Sequence, residues 1–346
     1  MSRRDGSIDL TELRRLDPIK KPDRFRRVLQ SQWAVNPTGE SEPDDGMLLR
    51  CAQAVGTPVL DHSIDDREVW NGEAFRQWST TFDRHRLELF WQVTRRPVVT
   101  ITVPTRRPEC VEIWAPIIAL QTHRPLQVVA ALHGRRWTSS DEDRIRATLV
   151  PAGIDVVIVR VDESKVLGEV LQAASDRAEG DVLVKWDDDD LYSTTHVVDL
   201  LRARHYSGAT IVGKAGDFYY VEGADTTVRR LQAPREIFSP TLAGSTLTIG
   251  RDDLRDVGGW DALAHREDAA LINKVRGSGG TSYRTVGFGF LVVRRADPVA
   301  HTWNPGDEVF LAPGNPRRPG LATDWAMIDL PDEIIERAVR PAGGGR

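Results

Sequence analysis

The strongest constraint on the fold of this chain is a fourfold alternation of short apolar segments with amphipathic ones between residues 98 and 186. Residues 98–103, Val-Val-Thr-Ile-Thr-Val, form a β-branched run ended by Pro104, and such residues fit a pleated strand better than a helix. A helical segment over 109–121 follows, carrying Pro116, and then a second strand over 126–132. Ser139-x-x-Glu142 has the spacing of a capping box and predicts a helix ending near Gly153. A third strand spans 154–161. Val166, Leu167, Val170, Leu171, Ala174 and Ala178 then define one apolar helix face, stopped by Gly180. Residues 181–186 are the fourth strand. The pattern predicts an α/β protein built of βαβ units, with a mostly parallel central sheet and helices on both faces.

Three zones are expected. Residues 1–97 are charged and irregular, with helices predicted over 47–55 and 71–93; Phe75, Trp78, Phe82, Leu87 and Trp91 recur at near-helical intervals in the second. This reads as a mainly helical N-terminal accessory region, whose basic opening suits either a solvated arm or contact with anionic headgroups. Residues 98–304 form the α/β domain, with further strands predicted over 210–214, 218–221, 227–231 and 245–249. Residues 305–346 are rich in Pro and Gly and read as a tail wrapped on the surface or partly disordered.

Composition narrows the function classes. Lys+Arg total 46 against Asp+Glu 51, a net charge of −5, which argues against a nucleic-acid-coating protein. No run of about 18 apolar residues occurs, so no membrane span is expected. The first residues lack the apolar core of a secretory leader. The two cysteines, Cys51 and Cys110, cannot make a disulfide framework or a thiolate zinc site unaided. The expectation is a cytoplasmic protein, at most a peripheral visitor to a membrane.

The most informative motif is Asp187-Asp188-Asp189-Asp190, directly after the fourth predicted strand. Ligands of open α/β sheets bind outside the carboxyl ends of the strands. Four adjacent carboxylates repel one another, and a divalent cation relieves that repulsion. Mg²⁺ and Mn²⁺ take oxygen ligands and are commonly held by one or two carboxylates plus substrate phosphates. A solvated acidic turn or helix N-terminus is the competing explanation.

From Lys185-Trp186 through Leu191-Tyr192 this region resembles the Asp-x-Asp motif of family 2 glycosyltransferases with the GT-A fold. Other segments agree in order: 98–106 with the first strand and its exit, Leu120-Gln121-Thr122 with Pro125 entering the second strand, and Gly168, Gln172, Ala178-x-Gly180-Asp181 before the acidic motif. Gly258-Gly259-Trp260-Asp261 with Glu267-Asp268-x-x-Leu271, and finally His301-Thr302-Trp303, complete the series. The resemblance implies an inverting sugar transfer from a nucleotide-diphosphate donor to an acceptor hydroxyl of a glycan, lipid-linked sugar or small molecule, with Mn²⁺ or Mg²⁺. It implies Asp187, Asp189 and His301 on the metal and Asp268, with Glu267, as the base. It also implies Pro104, Thr105, Arg106, His133, Gln172, Lys185, Asp187 and Asp188 on the donor. Where relatives carry an acidic stretch after the second strand, this chain has Leu132-His133-Gly134-Arg135-Arg136, so a base contact through His133 and a nucleotide other than uridine enter the expectation. The Glu267-Asp268 pair also suits a helix N-terminus on macrodipole grounds alone. A catalytically inactive nucleotide-binding scaffold of the same fold, and a nucleotidyl- or phosphotransferase, are the alternatives.

Overall fold

The computed structural model describes residues 95–230, 235–296 and 306–339, together with the backbone of two short strands, β1 (Ser7–Asp9) and β2 (Ala34–Asn36), which pair in parallel. The helices expected over 47–55 and 71–93, and His301, lie outside the described residues.

The predicted alternation is present: β3 (Val99–Thr105), α1 (Val111–Ala119), β4 (Leu126–His133), α2 (Ser139–Leu149), β5 (Asp155–Val161), α3 (Leu167–Ser175) and β6 (Val182–Lys185). β5, β4, β3 and β6 lie side by side, all parallel. The period-2 pattern explains why both faces are covered. Ile101, Val128, Ala130 and Leu132 pack with Trp114, Ile118, Ile145 and Leu149 of α1 and α2, whereas Val129 and Ala131 meet Val170 and Ala174 of α3. Pro116 sits within α1 without splitting it. The capping box of α2 lies one residue earlier than its sequence spacing suggested: Thr138 Oγ1 accepts from Asp141 N at 3.3 Å, and Thr138 N donates to Asp141 Oδ2 at 2.7 Å. Thr138 is still extended while Ser139 is already helical, and Glu142 is drawn instead to Arg160 at 2.7 Å.

Beyond β6 the chain forms β7 (Leu191–Tyr192), α4 (His196–Ser207), β8 (Ile211–Lys214), β9 (Phe218–Val221), β10 (Thr226–Arg229) and β11 (Ile237–Phe238). Then follow β12 (Thr248–Gly250), α5 (Arg251–Asp256), α6 (Glu267–Gly277), β13 (Ser282–Thr285) and β14 (Phe290–Arg294). β8 and β13 extend the first sheet parallel to each other, β12 is inserted antiparallel between β6 and β8, and β11 closes the edge. A second sheet, in the order β15-β10-β9-β14-β7, takes its last member, β15 (Arg317–Pro319), from the C-terminal segment. That segment continues into α7 (Thr323–Ala326) and α8 (Asp332–Val339). Ile328, Leu330, Ile334 and Ala338 bury themselves in the same core as α1, so residues 306–339 wrap the domain and help to close it.

The two sheets meet where the run of aspartates lies. The second sheet begins at β7, one residue after Asp190, so the loop leaving β6 is shared between them. Gly168, at the start of α3, lies so close to the Asp261 carbonyl that a Cβ there would overlap it. Overpacking of this kind costs about 1–3 kcal/mol. Gly168→Ala is therefore expected to lower the unfolding free energy by that amount, read as a fall in the urea midpoint at constant slope, and an unchanged midpoint would contradict the tight seating of α3 on the 258–263 turn.

Candidate functional site

A cavity of about 740 Å³ opens at the carboxyl ends of β3, β6 and β8, where the sheet directs backbone ends and loop side chains outward. Its floor is the loop after β6. Trp186 and Tyr192 stack with ring centroids 3.9 Å apart. The Tyr192 hydroxyl accepts from Asp187 N at 3.0 Å and donates to the Ser245 carbonyl at 3.3 Å. The four aspartates are thereby folded into a compact turn and sent to different partners.

Lys185, only 6% exposed, reaches Asp187 at 3.1 Å and Glu267 at 3.7 Å. Burial opposes its charge, but Asp187, Glu267 and Asp268 outweigh that and hold the ammonium firmly protonated. Asp188 is buried and accepts from Thr105 Oγ1 and from the Arg107 guanidinium. The same guanidinium donates to Asp189 Oδ2 at 2.7 Å. Asp190 turns away to accept from Val293 N of β14 at 3.1 Å, which ties the loop to the second sheet. Burial, reinforced by Asp189 and Asp187, pushes its pKa well up.

One cation serving two carboxylates leaves a deficit. Burial pushes the Asp188 carboxyl up from 3.8 to about 6, with Arg107 working against the shift and Asp189 with it. The Arg107 charge is strengthened by the same pair despite its burial. The two shifts point opposite ways for the ion pair, and the upward one at Asp188 stands, because a single guanidinium cannot neutralise two adjacent buried carboxylates. Around the loop after β6 and the start of α6 the cavity carries the carboxylates Asp187, Asp188, Asp189, Glu267 and Asp268 against the cations Lys185, Arg107 and Arg266.

On another wall stands the N-terminus of α6. Gly258 and Gly259 both have positive φ, 83° and 68°, which favours glycine. The turn is pinned where Trp260 N donates to Gln172 Oε1 at 2.8 Å and Lys274 reaches Asp261 at 2.8 Å. This sets the entry of α6, and its first residues are Glu267 and Asp268. Glu267 is buried, and its carboxyl is raised by that burial and by Asp268, against the pull of Lys185. Asp268 is half-buried, accepts from Ala269 N at 2.6 Å, and packs on Gly244, where any Cβ would strike its carboxylate.

Pro104, Lys185, Asp187, Asp188, Asp189, Glu267 and Asp268 thus line one cavity, with Thr105 directly behind Asp188. Arg106 and His133 pair with each other at 2.8 Å, Nε to Nδ1, at neighbouring strand ends and outside that lining. Burial and then Arg106 lower the His133 pKa, favouring the neutral imidazole. Gln172 braces the Gly259-Trp260 turn and also lies outside the lining. The pairing of Arg107 with the aspartates was not anticipated. Its one sequence signal was a position two residues past the first strand. Gly244 and the arginines Arg230, Arg284 and Arg294, which also line the cavity, carried no local signal at all. Among the described residues no group of three or more His, Cys, Asp or Glu is gathered as a metal cage. Asp187 and Asp189 nevertheless offer oxygen donors beside uncompensated negative charge, which suits a cation that completes its shell with substrate phosphates.

No protein-family model and no curated protein matches the sequence. Among solved structures, the chain is similar to a mannosyltransferase, PcManGT, from Pyrobaculum calidifontis in complex with GDP-Man and Mn²⁺, at 16% identity and a TM-score of 0.45, over 58% of this chain and 57% of that one. It is also similar to TarS of S. aureus, at 15% identity and a TM-score of 0.42, over 56% of this chain and 36% of that one. A structure of TarS residues 1–349 matches at 15% identity and a TM-score of 0.41, over 56% and 60%. The chain therefore spans about a third to three fifths of the length of these three solved chains.

The raised Asp188 carboxyl has a stability consequence. A carboxyl whose folded pKa exceeds its unfolded value binds its proton more tightly in the native state, so stability is greatest below about pH 4 for this group and falls as pH rises to about 6. Asp188→Asn should flatten part of that slope in urea denaturation series between pH 4 and 6.5. A slope identical to the parent's would show that Asp188 does not titrate in this window.

Proposed function

We propose that the chain is a metal-dependent, inverting glycosyltransferase that moves a sugar from a nucleotide-diphosphate donor to an acceptor hydroxyl. The single observation that carries this reading is the sharing of one cavity by two separate carboxylate groups. One, Asp187 to Asp189, is braced by Lys185 and Arg107 at the strand ends. The other, Glu267-Asp268, stands at the start of α6.

Asp187 and Asp189 would hold Mn²⁺ or Mg²⁺, with His301 as a further ligand on the strength of the sequence resemblance alone. The bound ion supplies Lewis-acid neutralisation of the departing diphosphate. Lys185 and Arg107 keep the carboxylates in register and place positive charge beside the same phosphates. Thr105 fixes the rotamer of Asp188, and Pro104 shapes the rim next to it. The Arg106–His133 pair, with a neutral imidazole, is suited to meeting the edge of the nucleotide base. Gln172 acts at one remove by positioning the turn that leads to α6.

Asp268 takes the acceptor proton. The acceptor oxygen forms its bond to the anomeric carbon as the bond from that carbon to the diphosphate oxygen breaks, and the nucleotide diphosphate leaves with the electron pair. Attack from the face opposite the leaving group inverts the centre. Asp268 stands in the first turn of α6, and Gly244 leaves room for its carboxylate. Among the described residues no helix is long and apolar enough to cross a membrane, and the reading includes a peripheral approach to a membrane-borne acceptor.

A thermal-shift panel of nucleotide sugars with and without Mn²⁺ tests the reading, since a ligand at a hundred times its Kd stabilises by about 2.7 kcal/mol. The expected result is metal-dependent stabilisation by a subset of donors. No stabilisation by any donor would overturn the reading. Asp189→Asn is expected to abolish metal-dependent turnover with the melting transition preserved. Asp268→Asn is expected to lower kcat by about 10²–10⁴-fold with donor Kd little changed. An equal loss of donor affinity would give Asp268 a structural role instead.

A further inference from the structure

Of the three cations around the loop after β6 and the start of α6, two are already committed. Lys185 is held between Asp187 and Glu267, and Arg107 between Asp188 and Asp189. Arg266 is not. It lines the same cavity from an exposed position. Among the described residues its guanidinium has neither a hydrogen-bond nor an ion-pair partner.

Three local rules speak against an arginine where Arg266 stands, immediately before α6. Its backbone is left-handed, with φ 62° and ψ 23°, a conformation that glycine or asparagine adopts far more readily. Short oxygen-bearing side chains are the usual caps of a helix, whereas Arg266 makes no side-chain cap bond. Positive charge at this end of a helix also opposes the macrodipole. The backbone cannot relax out of this shape, because both sides of the position are pinned. Before it, Gly168 N donates to the Leu263 carbonyl at 2.9 Å, and Lys274 reaches the Gly259 carbonyl at 2.7 Å and Asp261 at 2.8 Å. After it, Ala270 N donates to the Arg266 carbonyl at 3.0 Å. Strain of this kind persists where the surroundings over-determine it. Local rules broken with no internal partner in return mark a side chain that answers to a ligand.

We propose that Arg266 is an anion-binding residue of this cavity and that its ligand is the diphosphate of the donor. The proposal rests on the transferase reading above and adds a donor contact from the α6 side. A diphosphate drawn to Asp187 and Asp189 through a cation brings further negative charge into a region already rich in carboxylates. Lys185 and Arg107 are divided between those carboxylates, so Arg266 is the cation there with its whole planar fork to offer, and that fork matches phosphate oxygens.

The test uses the full-length chain and inorganic pyrophosphate with Mg²⁺, followed by isothermal titration calorimetry, with thermal melts of each variant. Arg266→Gly is expected to bind pyrophosphate at least about tenfold more weakly. The same variant is expected to melt at or above the parent temperature, because glycine removes the left-handed strain. Arg266→Lys keeps a positive charge on the same backbone and is expected to retain a large part of the affinity. A merely structural residue would give the reverse: a lower melting temperature on Arg266→Gly, with pyrophosphate binding unchanged in the folded protein. The proposal is overturned by that pattern, by a wild-type chain that does not bind pyrophosphate, or by an affinity that survives Arg266→Gly. A loss confined to glucose 6-phosphate measured without Mg²⁺ would assign Arg266 to a charged acceptor and overturn it as well. The parent reading fails separately, if the wild-type chain binds pyrophosphate through Arg266 yet no nucleotide sugar stabilises it.

Discussion

The guanidinium of Arg107, two residues beyond the end of β3, lies between Asp188 and Asp189 on the loop leaving β6. Without it, two adjacent carboxylates at the rim of a sheet would have to be separated or protonated, and the β6 exit could not turn tightly under the stacked Trp186 and Tyr192. With it, the loop closes but stays short of neutrality. Arg107 therefore ties the β3 exit to the β6 exit and leaves its two carboxylate partners short of neutrality.

The loop also joins the two sheets. Asp187 to Asp189 line the cavity beside Lys185 and Arg107, while Asp190 accepts from β14 and is effectively part of the second sheet. One run of four identical residues is thus divided into carboxylates paired with cations and a buried structural acceptor. Neighbouring Asp189 and Asp187, together with burial, keep Asp190 inclined to hold its proton.

Much of this was legible from local pattern. The β-branched runs, the apolar helix face from Val166 to Ala174 and the placement of the aspartates after a strand report on neighbours two to four residues apart, and those features appear where expected. The capping box shows the limit: Thr138 and Ser139 are equally good chemically, and the backbone conformation at Thr138 chose between them. The second sheet was only partly visible because β7 and β15 are two and three residues long, too short for alternation to register. The C-terminal segment read as a wrapped or partly disordered tail because Pro and Gly dominate it, yet Ile334 and Ala338 complete the packing on α1.

The sequence by itself determined the βαβ alternation, the exit of the aspartates at a strand end, and the glycines that allow the 258–261 turn, because each depends on propensities and periodicities confined to a few consecutive residues. Tertiary structure alone decided that Arg107 would share itself between carboxylates 81 and 82 residues away, that Gly244 would make room for Asp268, and that residues from segments as distant as Pro104 and Arg294 would line one cavity. Those contacts depend on which short strands lie side by side. That choice is made by the fit of whole buried faces, which no local stretch of sequence contains.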